Sequence, residues 1–104
     1  MNMTVKELKA LRDANTPHFL LDVRQPDEHA LCRIEGSTLI PLGELPGRLG
    51  DLPKDRTIVV HCHHGGRSMQ AVRFLREQGY EKAVNLAGGI DAWSEEIDPN
   101  VPRY

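Results

Sequence analysis

The apolar residues of this chain fall into short clusters with two different spacings. Val5, Leu8 and Leu11 recur every third position, which puts them on one face of a helix. Thr4 and Glu7 stand in the capping-box relation, in which the hydroxyl and the carboxylate satisfy free amides at a helix start. The pattern predicts a helix over Val5–Ala14, ended by the breaker Asn15-Thr16-Pro17. The next run, His18-Phe19-Leu20-Leu21-Asp22-Val23, is short and nearly all apolar, as a strand buried on both faces of a parallel sheet is. Thr57-Ile58-Val59-Val60-His61-Cys62 and Ala83-Val84-Asn85-Leu86 read the same way, and Thr38-Leu39-Ile40 is a weaker third case. Between them, Met69, Val72, Phe74 and Leu75 fit a helix over Ser68–Gln78, with Gly79 closing it.

This alternation of strand and helix predicts an α/β fold, with a mostly parallel sheet covered by helices on both faces. With 104 residues, a single domain spanning 1–104 is expected. The composition, 39% apolar and 27% charged, is that of a soluble globular chain. A formal net charge of -2 with interspersed signs offers no basic stripe, which argues against nucleic acid as a partner. No apolar run approaches the roughly 20 residues of a membrane span, and Met1 to Glu7 lacks the apolar core of a secretory signal, so no membrane partner and a cytoplasmic location are expected. Cys32 and Cys62 are too sparse for a disulfide framework and read as thiols.

In parallel α/β folds ligands sit beyond the C-terminal ends of the strands, which directs attention to the residues after Val23, Cys62 and Leu86. His61-Cys62-His63-His64-Gly65-Gly66-Arg67-Ser68 puts a cysteine at a strand end, then a glycine turn, then a helix start. Amides converging in such a turn, with the positive end of the helix dipole, form a cradle for negative charge. Arg67 and that cradle favour the Cys62 thiolate, the reactive form. The plain alternative is a buried structural cysteine. The order of cysteine, glycines, arginine and helix start favours chemistry, and the surplus of donors without a general base suits sulfur or phosphoryl transfer.

Cys62-His63-His64-Gly65-Gly66-Arg67-Ser68 resembles the Cys-x-x-Gly-x-Arg-Ser active-site loop of single-domain rhodaneses. Leu21-Asp22-Val23-Arg24-Gln25-Pro26-Asp27-Glu28 resembles that family's Asp-Val-Arg-x-x-x-Glu segment, and Gly79-Tyr80 with Leu86-Ala87-Gly88-Gly89-Ile90-Asp91-Ala92-Trp93 resembles its closing motif. The resemblance implies a rhodanese-like sheet of about five strands. It also implies thiosulfate sulfurtransferase activity through a Cys62 persulfide, with no metal or cofactor. The donor would be thiosulfate or a persulfide, and the acceptor cyanide, a thiol or a protein thiol. Cys62 and Arg67 would be catalytic, and His63, His64, Gly65, Gly66 and Ser68 would form the persulfide-binding loop. Arg24, directly after a strand, is expected to face the pocket and help hold a dianionic donor; Asp22 would orient an arginine or cap nearby amides. The chain departs from the family at Cys32 and Arg33, where glycine and histidine are usual. Cys32 reads as structural or as a resolving thiol, and Arg33 as a surface residue.

Three rivals remain open. A cysteine phosphatase or arsenate reductase would use the same groups, but Cys62 and Arg67 enclose four residues where that pattern has five. A metal module built on His61, Cys62, His63 and His64 is disfavoured because neighbouring strand residues diverge. A non-catalytic rhodanese-like binding module is the third. Trp93, Val101 and Tyr104 read as packing residues, and Asp98–Tyr104 as an irregular tail.

Overall fold

The computed structural model describes all of residues 1–104. Five strands, β1 (Asn2–Met3), β2 (His18–Asp22), β3 (Thr38–Leu39), β4 (Thr57–His61) and β5 (Ala83–Leu86), form one sheet in the order β1-β5-β4-β2-β3. Every pairing is parallel. Four α-helices, α1 (Val5–Asp13), α2 (Pro26–Leu31), α3 (Gly66–Glu77) and α4 (Gly89–Glu96), and a 3-10 segment (Leu42–Asp51) complete the chain. None of the helices is long and apolar enough to cross a membrane.

The near-continuous apolar strands are buried on both faces because their side chains alternate. Leu21, Ile58, Val60 and Cys62 join a core completed by Val72 and Leu75 of α3 and Leu45 of the 3-10 segment. Leu20, Val59 and Leu86 point into a second core with Val5 and Leu8 of α1 and Ile90 and Trp93 of α4. The Thr4–Glu7 capping box is present at the start of α1.

Four elements go beyond what the apolar pattern predicts. The fifth strand, β1, has two residues and is held by pairing Asn2 with Asn85 and Met3 with Leu86 of β5. α2 buries no residue fully. The segment Leu42–Asp51 carries Pro46 and a non-helical Arg48, which confine it to 3-10 turns. α4 starts directly at Gly89 of the closing motif. The expected strands and helices otherwise appear within about two residues of their predicted ends, and Gly79 follows α3 at φ +91°.

β4 lies in the middle of the sheet, with β2 and β5 as its neighbours. The register pairs Asp22 with His61 and Asn85 with Val60. The ends of three strands therefore meet at Cys62.

Candidate active site

Alternation along β4 sends Cys62 into the α3-side core and His61 to the other face, so the two diverge as the sequence implies. His61 is fully buried with both ring nitrogens unpartnered. Burial pushes its imidazole down to about 4, against the opposing pull of Asp22, so the ring is neutral at physiological pH.

Cys62 is 2% exposed. The chain turns at Gly65, whose φ of +127° is a conformation that L side chains rarely adopt, and enters α3 at Gly66. That turn aims the Gly65 amide at the Cys62 Sγ at 3.1 Å and the Ser68 amide at 3.4 Å, while the Ser68 Oγ lies 3.3 Å away. Burial works to raise the thiol's pKa. The Ser68 hydroxyl and the amides of Ser68, Gly65 and Arg67 outweigh it, and the net direction is downward.

The cradle rests on a second tier. The Ser68 hydroxyl donates to Asn85 Oδ1, and Asn85 Nδ2 donates to Asn2 Oδ1 at 3.1 Å. Serine has one proton to give. In the thiol form the S–H can donate to Ser68 Oγ while that proton stays on Asn85; in the thiolate form the proton can turn to the sulfur. From the other side, the amides of Ile90 and Asp91 at the start of α4 donate to the carbonyls of Cys62 and His63 at 3.0 and 3.1 Å. The approach requires glycine: a Cβ on Gly89 would sit 2.5 Å from the His63 oxygen and 2.6 Å from that of Cys62.

Arg67 sends its side chain to Glu28, with Nη1–Oε1 at 2.7 Å and Nη2–Oε2 at 2.9 Å. Hydrogen bonds from Arg67 lower the Glu28 carboxyl to about 2, over a smaller opposing effect of burial. The Tyr104 hydroxyl donates to the same carboxylate at 2.7 Å, and its ring stacks on His63 at 3.9 Å. His63 is thus half-buried between Tyr104 and the exposed His64. The irregular tail folds back onto the candidate loop.

Arg24 corrects the sequence expectation. It is fully buried. Nε and Nη2 grip Asp22 at 3.0 and 2.8 Å, Nη2 also reaches the Cys32 carbonyl, and Nη1 reaches the Tyr104 hydroxyl and the Glu28 carbonyl. All five donors are engaged, so none is left for an anion in the pocket. Asp22 does orient an arginine and also caps, accepting from the Arg24 amide at 3.0 Å; His29 Nδ1 lies 2.8 Å from its second oxygen. Burial raises its pKa, and the hydrogen bonds to Arg24 and His29 bring it net below the ordinary value.

Cys32 is a free, buried thiol in the α1/α4 core, across the sheet from Cys62, which places it as a packing residue rather than a resolving one. Arg33 is exposed. His63, His64 and Asp91 bring ligand-type atoms within 4.8 Å of one another. Arg103 grips both Asp91 oxygens at 3.0 and 3.1 Å, an ion pair that a cation would have to break. A surface cavity of about 490 Å³ lined by Arg12, Asn15, His18 and Glu35 opens at the N-terminal end of β2, away from Cys62.

Four residues of this site are given no part in it by the sequence reading. Glu28 lies inside a quoted motif, and its spacing after Arg24 was the available signal. Gly89 belongs to the closing Gly-Gly pair. Asn85 stands out only as a polar residue in an apolar strand. For Tyr104, no local pattern connects it with Cys62.

A parallel α/β domain with a strand-end cysteine held by loop amides is the class that fold and site define. A family model for the rhodanese-like domain matches residues 4–96, and the chain belongs to that family. A protein named Sulfurtransferase from Allochromatium vinosum is 40% identical over 95 residues, covering 90% of this chain and 89% of its own length. The adenylyltransferase and sulfurtransferase MOCS3-2 of Zea mays is 37% identical over 109 residues; the match takes in 98% of this chain but 23% of that protein. This chain therefore spans about a quarter of the length of such two-function relatives. Among solved structures, a rhodanese-like domain protein from Staphylococcus aureus superposes with a TM-score of 0.86 at 31% identity, covering 99% of this chain and 97% of that one.

Proposed function

We propose that the protein is a sulfurtransferase that carries sulfane sulfur as a Cys62 persulfide. The observation that carries this reading is the arrangement of donors around the sulfur, at 3.1, 3.3 and 3.4 Å, which would hold an anionic sulfur. The shared fold and the named Sulfurtransferase relative support it.

In the first half-reaction the Cys62 thiolate attacks the outer sulfur of thiosulfate or of a persulfide. A new S–S bond forms, the donor's S–S bond breaks, and sulfite or a thiolate leaves with the electron pair. In the second half-reaction cyanide or a thiol attacks the terminal sulfur and returns the thiolate. The amides of Gly65 and Ser68 hold the persulfide, Gly66 opens α3 beneath it, and His63 and His64 wall the entrance. Arg67 carries the loop's one fixed charge, held in its ion pair with Glu28. Asp22 and Arg24 serve as a buried brace rather than as substrate contacts. The cycle calls for no metal or organic cofactor, and the reading includes a cytoplasmic setting, in which both cysteines stay reduced.

Steady-state assay of thiocyanate from thiosulfate and cyanide, beside hydrolysis of an aryl phosphate and reduction of arsenate, tests the reading. Thiocyanate turnover that Cys62→Ser lowers by at least about 1000-fold, with no phosphate release, is expected. Phosphate release or arsenate reduction dependent on Cys62 would move the protein to the phosphatase group. Inactivity in all three would favour a binding role.

A further inference from the structure

Among Cys62–Ser68 only Arg67 carries a permanent positive charge, and the structure pairs it with a carboxylate of the protein itself. Glu28 Oε1 accepts from Arg67 Nη1 at 2.7 Å and from the Gln25 amide at 3.0 Å. Glu28 Oε2 accepts from Arg67 Nη2 at 2.9 Å and from the Tyr104 hydroxyl at 2.7 Å. The Tyr104 oxygen in turn accepts from Arg24 Nη1 at 2.9 Å, and Arg24 is locked to Asp22 in the core. The Glu28 side chain is only 17% exposed. Glu28 is therefore braced from both sides, unlike a surface partner that a substrate could push away.

A bare arginine at this position would offer a unit positive charge to an incoming anion. The Arg67–Glu28 pair offers none, and Asp91 likewise cancels Arg103 beside His63 and His64. Charge on the donor then decides how costly approach to the carboxylate is, because the Coulomb energy scales with that charge.

We propose that Glu28 is a specificity-determining residue, with Tyr104 as the positioning residue behind it: by cancelling Arg67 it turns the site away from doubly charged donors. The donor class it favours is a sulfane sulfur compound with at most one negative charge at its reacting end, such as an organic persulfide, rather than an inorganic dianion. This inference rests on the persulfide reading above and narrows it.

Thiosulfate and an aryl thiosulfonate form a matched pair of probes. Both present a terminal sulfur on an oxidised sulfur atom, one with two negative charges and the other with one. In each case Cys62 takes the terminal sulfur, the donor's S–S bond breaks, and sulfite or sulfinate leaves with the electron pair. The measurement is kcat/KM for both donors, with cyanide as acceptor, in the wild type, Glu28→Gln and Tyr104→Phe. In Glu28→Gln the ratio of thiosulfate to thiosulfonate should rise about tenfold at low ionic strength, through KM, and less at high salt. Tyr104→Phe keeps the stacking on His63 but loses the hydroxyl brace, and should shift the ratio the same way by a smaller factor. An unchanged ratio in Glu28→Gln, or an equal loss with both donors, would overturn the inference while leaving the persulfide reading intact. Failure of both donors to load Cys62 in the wild type would overturn that reading itself.

Discussion

At the scale of single residues, two opposed effects meet at Cys62. Burial of the sulfur favours the neutral thiol, and the Ser68 hydroxyl with the surrounding amides favours the thiolate strongly enough to prevail. Thiolate is therefore retained to a lower pH than an ordinary thiol allows, and reactivity falls as the pH drops through the lowered pKa. Iodoacetamide alkylation rates against pH should show a midpoint below that of an ordinary cysteine thiol. Ser68→Ala removes the largest of the lowering contacts, so its midpoint should move up and its rate near neutrality should drop roughly several-fold; an unmoved midpoint would mean that the hydroxyl stays on Asn85. Cys62, Gly65, Arg67 and Ser68 were legible in the sequence because the turn that joins them is local. The direction of Arg24 was not, because it is decided by the Cys32 carbonyl and by Tyr104, eighty positions along the chain.

Among the elements, those with a full apolar face could be read directly. α1, α3, β2, β4 and β5 each bury several residues in periodic order. α2 buries none, and β1 is two residues long, so neither leaves a periodic trace. α4 is the element of most consequence for the site, since its first amides hold the carbonyls of Cys62 and His63. Gly89, at φ +59°, is what permits that approach. Gly89→Ala would force a methyl group against two backbone oxygens, and should cost about 2 kcal/mol or more in denaturant unfolding. Sulfur transfer should suffer further in the fraction that remains folded, because the displaced atoms belong to the cradle. A variant with wild-type stability and turnover would show that α4 does not position the loop.

For the whole molecule, sheet order is what concentrates the chemistry. With β4 in the centre, β2 delivers the Asp22–Arg24 brace on one side and β5 delivers Asn85 on the other. The α/β class and the parallel sheet followed from the alternation of strands and helices. The closure of the tail over His63 did not, since it depends on a stacking contact and on hydrogen bonds to two distant ion pairs. All of this converges on one sulfur atom, and intact-mass measurement of the purified protein after incubation with thiosulfate or an aryl thiosulfonate tests it most directly. The account predicts a gain of about 32 Da, absent in Cys62→Ser and discharged by cyanide. A wild-type protein that stays at its original mass with both donors, or a gain that persists in Cys62→Ser, would contradict it.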